Sequence, residues 1–375
     1  MAKTTTKKFS GIELEINQAP DTEFVPSGHK YVDQKKLLET VAFGIKENLP
    51  VLLIGETGTG KTSAIRYLAQ ETNNAFRRLN LNGSTSVDEF VGKILIDETG
   101  TYWTDGILVD AMRKGHWLLV DEINAGLPEI LFVLQSLLDD DRYVLLSDKK
   151  DREVVRPHEN FRIFATCNPS DNYSGTKEMN KALLSRFPLV LEVGFPEASK
   201  ELDIMKTKFK DINEDLVNRM IGFANSQRQA YETGKVDFCF STRELVNWYK
   251  VQQFTGGNVR LAAEYTILSK CNAQDRKVLK DVIDISFAEI ETTYAGPYKK
   301  GVVITTKKDI TPYQMREVVP AGTKFEILSH PVDRGGNIGF AVSVKVITWG
   351  KHDPLVTKVP IRTTFAIKVD DLETN

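Results

Sequence analysis

The chain has 375 residues, of which 41% are hydrophobic and 27% charged, the balance of a soluble protein with two or three domains. A formal net charge of −2 excludes a strong polycation that grips nucleic acid over its whole surface, although residues 297–375 carry about +4 and the remainder about −6. Cys167, Cys239 and Cys271 have neither metal-ligand spacing nor a disulfide framework. No apolar run approaches a membrane span, and the basic N-terminus lacks the apolar core of a secretory signal, so a cytoplasmic location is expected.

In chain order, residues 1–30 read as an N-terminal arm, where Ile12, Leu14 and Ile16 alternate as in a strand or hairpin. Leu37, Leu38, Val41, Ala42 and Ile45 fall at helical spacing, and the helix should stop before Pro50. An apolar strand, Val51–Ile54, then enters Gly55-Glu56-Thr57-Gly58-Thr59-Gly60-Lys61-Thr62, and Ser63 opens a helix-compatible stretch. This is G-x-x-x-x-G-K-T in the strand–loop–helix context that a phosphate-cradling P-loop needs. Its glycines let backbone N–H groups turn toward phosphate oxygens, beside the positive end of a helix. Lys61 can reach the β- and γ-phosphates, and the Thr62 hydroxyl can ligate Mg²⁺. The sequence therefore predicts a bound ATP or GTP.

From residue 51 to about 193, apolar runs (Val51–Ile54, Trp117–Val120, Arg162–Thr166, Leu189–Val193) alternate with helical patterns such as Leu127–Leu138. That alternation predicts a parallel sheet covered by helices. The second run, starting after His116, ends in Asp121-Glu122, a Walker B arrangement at the sheet edge where ligands bind. Asp121 suits the metal shell and Glu122 the polarisation of an attacking water. His116 itself reads as a satisfied strand-end residue, and the five histidines make no local zinc pattern. The third run ends at Asn168-Pro169, where an amide could position that water. Arg186, just before the fourth run, is a candidate arginine finger that stabilises transferring phosphoryl charge.

Strand signals vanish between about 196 and 295, where helices are expected over 197–208, 213–230, 241–254, 258–271 and 276–293. Ser241 and Glu244 form a capping-box pattern, and Asn258 suits the next cap. Arg243 sits in the first helical turn, where the dipole disfavours a cation unless an anion lies nearby; this points to the nucleotide. After Gly296-Pro297, four β-branched, alternating segments with intervening turn signals predict about five short strands, a small β-barrel or sandwich.

Taken in order, these landmarks resemble the AAA+ ATPases: Walker A, Walker B, sensor 1 at Asn168, arginine finger at Arg186, and sensor 2 at Arg243 on a helical lid. Finer features, Ser84–Gly92, the Tyr102-Trp103 hairpin candidate, Gly106–Ala111 and the DEIN of Asp121–Asn124, are similar to the MoxR and dynein-related branch, which includes CobS, NorQ and CbbQ. The resemblance implies an α/β P-loop NTPase core at 31–195, a small all-helical lid at 196–296 and an added β-rich domain at 297–375. Residues 93–105 and 140–158 would be the branch's two insertions. It also implies ATP rather than GTP, Mg²⁺, and a ring, usually a hexamer, in which Arg186 acts in trans. Many relatives remodel a protein partner or work with a von Willebrand A-type partner. The competing readings are a nucleic-acid-stimulated motor of the McrB kind and a non-catalytic nucleotide-dependent scaffold.

Overall fold

The computed structural model describes residues 5–34, 36–98, 100–169 and 179–287, and beyond them the segments 303–305, 323–327, 332–333, 340–348 and 364–368. The chain divides into two compact units, residues 1–229 with 239–245, and residues 230–238 with 246–375.

The first unit opens with an antiparallel hairpin, β1 (Thr6–Phe9) and β2 (Ile12–Glu15). Its Phe9 and Leu14 share a buried cluster with Leu37, Leu38, Val41, Ala42 and Ile45 of α1 (Leu37–Lys46). Then follow β3 (Val51–Ile54), α2 (Lys61–Glu71), β4 (Phe76–Asn80), the short α3 (Val87–Phe90), and the strands β5 (Gly92–Asp97) and β6 (Gly100–Asp105). Next come α4 (Ile107–Lys114), β7 (Trp117–Asp121) and α5 (Pro128–Leu138), which begins with proline at its first turn as expected. The strands β8 (Val144–Leu146), β9 (Glu153–Val155) and β10 (Arg162–Cys167), the turn-long α6 (Lys181–Leu184) and β11 (Leu189–Glu192) complete the α/β part.

Five strands form one parallel sheet in the order β11-β3-β10-β7-β4. Alternate side chains leave on opposite faces. Leu52, Leu118, Val120, Ile163 and Ala165 join one core with residues of α4 and α5. Val51, Leu53, Trp117, Leu119 and Phe164 join the other, with residues of α1 and α2. Helices on both faces bury the three inner strands β3, β7 and β10 almost completely, which is why they read as apolar runs, whereas the edge strand β11 is only half-buried and exposes Val190. The fifth, β4, is absent from the sequence expectation because Arg77 and Arg78 interrupt it. It lies at the sheet edge, paired only with β7, and an edge tolerates charge. Arg77 bonds to Asp110 of α4 at 3.0 Å.

Both expected insertions contain antiparallel hairpins, β5–β6 and β8–β9. On the first, Ile94, Ile96 and Tyr102 are exposed, whereas Trp103 packs on the core and donates its indole N–H to Asp105 at 2.7 Å. Strand alternation separates these adjacent aromatics. His116 is buried, yet neither ring nitrogen has a hydrogen-bond partner among the described residues. Its Nε2 lies 3.4 Å from the Asp21 carboxylate, so this strand-end residue has a charged neighbour in place of a formed hydrogen bond. The Phe24 ring lies 5.4 Å from it, and burial lowers its pKa.

The helices α7 (Ala198–Lys208), α8 (Glu214–Glu232), α9 (Thr242–Phe254), α10 (Val259–Thr266) and α11 (Ala273–Ser286) follow. Asn258 caps α10 by accepting from the Leu261 N–H at 2.9 Å, as its sequence position predicts. The expected helix over 258–271 ends earlier, giving way to a 3₁₀ turn at Leu268–Lys270, and α11 starts at Ala273 behind an Asn272 cap. The far end of the helix expected over 276–293 lies outside the described residues. Within the second unit, Trp248 donates to the Val259 carbonyl at 2.9 Å and meets the Phe287 ring edge-on at 5.2 Å.

The last segments, β12 (Val303–Thr305), β13 (Lys324–Ile327), β14 (Val332–Asp333), β15 (Phe340–Thr348) and β16 (Thr364–Lys368), form one antiparallel sheet in which β15 pairs with β13, β14 and β16. The connecting turns, and with them closure into a barrel or sandwich, lie outside the described residues. Among the described residues no helix is long and apolar enough to cross a membrane.

Candidate active site

β3 delivers the P-loop to the carboxyl edge of the sheet. The Gly55 N–H donates to the Cys167 carbonyl at 3.1 Å, locking the loop's first residue to the end of β10. A Cβ on Gly55 would collide with the Val193 carbonyl, and one on Gly58, at φ 82°, would collide with the Ser241 side chain. Only glycine fits at either place. The Thr59 hydroxyl donates to the Glu56 carbonyl at 2.9 Å, and Gln34 donates to the Thr59 carbonyl at the same distance. These bonds turn carbonyls away from the helix start, as a phosphate cradle requires. Thr57 and Gly60 complete the loop; Gly60 precedes α2 in a left-handed conformation, and Ser63 is exposed on its first turn.

Lys61 is the first residue of α2 and is buried. Its ammonium donates to the Gly55 carbonyl at 2.6 Å, the Glu56 carbonyl at 2.9 Å and the Asn168 side-chain oxygen at 3.2 Å. Burial pushes its pKa down to about 8, against the attraction of Asp121 and Glu56. A buried cation with neutral ligands suits an incoming polyanion. A phosphate beside Lys61 would raise this pKa, so binding above it takes up a proton. Nucleotide affinity should therefore be fullest below about pH 8 and fall by up to about tenfold per pH unit above it. Titrating a fluorescent ATP analogue against pH checks this, and Lys61→Met should flatten the profile.

Asp121 ends β7. Its carboxylate accepts from the Thr166 hydroxyl, from Arg78 (Nε at 2.6 Å) and from the Thr62 hydroxyl at 3.3 Å. Among the described residues no three His, Cys, Asp or Glu side chains cluster as a metal site. Mg²⁺ does not need such a cage, because it takes one or two protein oxygens and completes its shell with phosphate and water. The Thr62 and Asp121 oxygens fit that requirement. Glu122 follows at φ 56° and ψ 46°, a left-handed conformation rare outside glycine and asparagine. Its N–H is held by the Thr166 hydroxyl at 3.1 Å, and its half-buried side chain leaves the strand at this turn. Asn168, at the end of β10, is buried with its amide oxygen on Lys61 and its carbonyl accepting from Asn124 at 3.0 Å.

Arg243 is exposed on the first turn of α9, its Cβ in contact range of the Gly58 position. Ser241 caps α9: its hydroxyl accepts from the Arg243 N–H at 3.2 Å, one residue earlier than a capping box has it, and Glu244 accepts from the Ser241 N–H at 3.3 Å, the return half of the predicted box. Arg186 is not brought to this group. It is paired instead with Asp139, at 2.5 Å from Nε, and bonds to the Ala182 carbonyl at 2.7 Å.

The sequence family model for the AAA domain, dynein-related subfamily, matches residues 50–187, from β3 to the end of α6 and the following turn. The aerobic cobaltochelatase subunit CobS of Sinorhizobium sp is 30% identical over 312 residues, covering 73% of this chain and 93% of that protein. The chain belongs to the AAA family, in its dynein-related branch. Midasin of Dictyostelium discoideum is 33% identical over 247 residues, and midasin of Giardia intestinalis 35% over 210. The chain spans only 4% of the length of each midasin.

Within this AAA site three side chains escaped the sequence reading. Arg78 binds the Asp121 oxygen that faces Thr62. Its signal, an arginine within an edge strand, is too common to single out. Thr166 holds both acidic residues together, yet reads as a β-branched strand residue. Asn124 is buried beside Asn168, and its side-chain oxygen lacks a partner among the described residues. Only the DEIN string hinted at it.

Proposed function

We propose that the chain is a Mg²⁺-dependent ATPase that works as a ring-forming motor on a protein partner. The observation that carries this reading is the convergence of Lys61, Thr62, Asp121 and Asn168 at one edge of the parallel sheet. Lys61 and the loop N–H groups bind the β- and γ-phosphates. Thr62 and Asp121 hold the metal, which supplies charge neutralisation when bound. Glu122 takes the proton of the attacking water, and Asn168 orients that water against the phosphoryl group. Arg243 approaches the phosphates from the start of α9. Arg186, engaged away from its own P-loop, serves the site of a neighbouring subunit, which requires a ring.

CobS is by name a subunit of a larger enzyme, which favours work on a protein partner, of von Willebrand A type or a client. The exposed Ile94, Ile96 and Tyr102 of the β5–β6 hairpin suit such a contact. A nucleic-acid motor is favoured only by the modest positive charge of residues 297–375. Phosphate release under multiple turnover, with particle mass measured in the same buffer, tests the reading. Turnover should require ATP and Mg²⁺, vanish with chelator, and accompany assembly. Absence of turnover in an assembled, Mg²⁺- and ATP-saturated sample would reject hydrolysis. Stimulation by DNA or RNA that weakens steeply with salt would favour the nucleic-acid motor.

A further inference from the structure

Outside the nucleotide site, one group of charged side chains in the first unit is almost wholly withdrawn from solvent. Glu201 of α7 is fully buried, and Arg228 of α8 is 5% exposed. The two form a fork-to-fork pair, at 2.9 and 2.7 Å. Arg228 also donates through Nε to the Phe240 carbonyl at 2.8 Å and through Nη1 to the Asn225 side-chain oxygen at 2.9 Å. Glu201 accepts a further bond from the Thr242 hydroxyl at 2.7 Å. Such a pair is a weak source of stability relative to apolar packing, because two charges have lost their water. Its geometry is specific, and what it holds is informative.

Phe240 and Thr242 flank Ser241, the residue whose side chain fills the space a Cβ on Gly58 of the P-loop would need. The Arg228 guanidinium also lies 4.3 Å over the Phe195 ring. Phe195 is two residues beyond Val193, whose carbonyl fills the space a Cβ on Gly55 would need. One guanidinium thus touches both segments that abut P-loop glycines. We propose that the Glu201–Arg228 pair is a positioning device that, through Thr242 and the Phe240 carbonyl, holds the Ser241–Arg243 segment against the P-loop. It acts through Arg243 and does not touch nucleotide. In this respect it rests on the ATPase reading above, because Arg243 must meet phosphate for the position to matter.

Glu201→Gln or Arg228→Lys is the direct test, but either leaves a buried charge incompletely paired and can unfold the unit. Thr242→Val is the cleaner probe, since it removes one hydrogen bond and keeps the pair and the side-chain shape. With the thermal midpoint close to wild type, Thr242→Val should weaken binding of a fluorescent ATP analogue by about tenfold, as loss of a bond to a charged group implies. It should also speed hydrogen exchange across residues 239–244. Added to Arg243→Ala, it should cause no further loss of affinity, because both changes remove one contribution. Fully additive losses, or unchanged exchange at 239–244, would overturn the proposal. If exchange rises but Arg243→Ala alone leaves affinity and turnover intact, the clamp on the segment stands. The role of Arg243 toward nucleotide is then what fails.

Discussion

Glu122→Gln should lower the turnover of ATP by about 10²–10⁴-fold, the range general-base removal gives, while ATP affinity stays within about twofold of wild type, since the lost charge does not hold phosphate. The two neighbouring acids differ in what surrounds them. Asp121 is buried, with Arg78, Thr62 and Thr166 on its carboxylate. These donors fix the orientation of its carboxylate, which suits a fixed electrostatic task. Glu122 is half-buried, and among the described residues its hydrogen bonds are made by its backbone, to the Thr166 hydroxyl and from the Ala125 N–H. A carboxylate that must take a proton needs that freedom. Asp121→Asn should therefore weaken both binding and turnover, whereas Glu122→Gln separates them. Single-turnover quench together with equilibrium binding of a fluorescent ATP analogue checks this. Wild-type turnover by Glu122→Gln would remove Glu122 from the chemistry.

The parts of this site that the sequence made legible are those whose chemistry forces a local pattern. A cradle needs glycines at short spacing, and a buried parallel strand needs an unbroken apolar run, so β3, β7 and β10 and the polar residues at their ends could be read directly. The arrangement of strands was not legible in the same way. Placing β10 between β3 and β7 brings Asn168 to Lys61, across 107 residues of sequence, and no local pattern encodes that neighbourhood. β4 escaped because its arginines satisfy themselves by tertiary contacts, one with α4 and one with Asp121. Arg243 was singled out by its conflict with the helix dipole, and the structure sets its exposed side chain at the start of α9 beside the Gly58 position. Ser241 was visible only as a cap, although its side chain also occupies the space that a Cβ on Gly58 would need. Glu201 and Arg228 were invisible, because on α7 and α8 they look like ordinary solvated charges until the helices fold around them.

Arg186→Ala should lower turnover by about 10³–10⁵-fold if the guanidinium completes a neighbouring subunit's site, the range measured for arginine fingers. Within its own chain Arg186 is committed to Asp139 and to the Ala182 carbonyl, so the variant should bind ATP normally when monomeric. The Asp139 pair is partly exposed, 28% for the arginine side chain and 48% for the aspartate. Such pairs hold loosely, with roughly 0–1 kcal/mol at stake. That is enough to preset the arginine and too little to keep it from a phosphate. Asp139→Asn should accordingly change turnover far less than Arg186→Ala. Mixing supplies the decisive measurement. An Arg186→Ala subunit keeps an intact P-loop, and a Lys61→Ala subunit keeps an intact finger. Each preparation is inactive alone, but a mixed ring contains interfaces where the good loop of one meets the good arginine of the other. Activity should reappear on mixing and peak near equal proportions. If Arg186 acted within its own chain, every subunit in the mixture would carry a defective site, and no ratio would restore turnover.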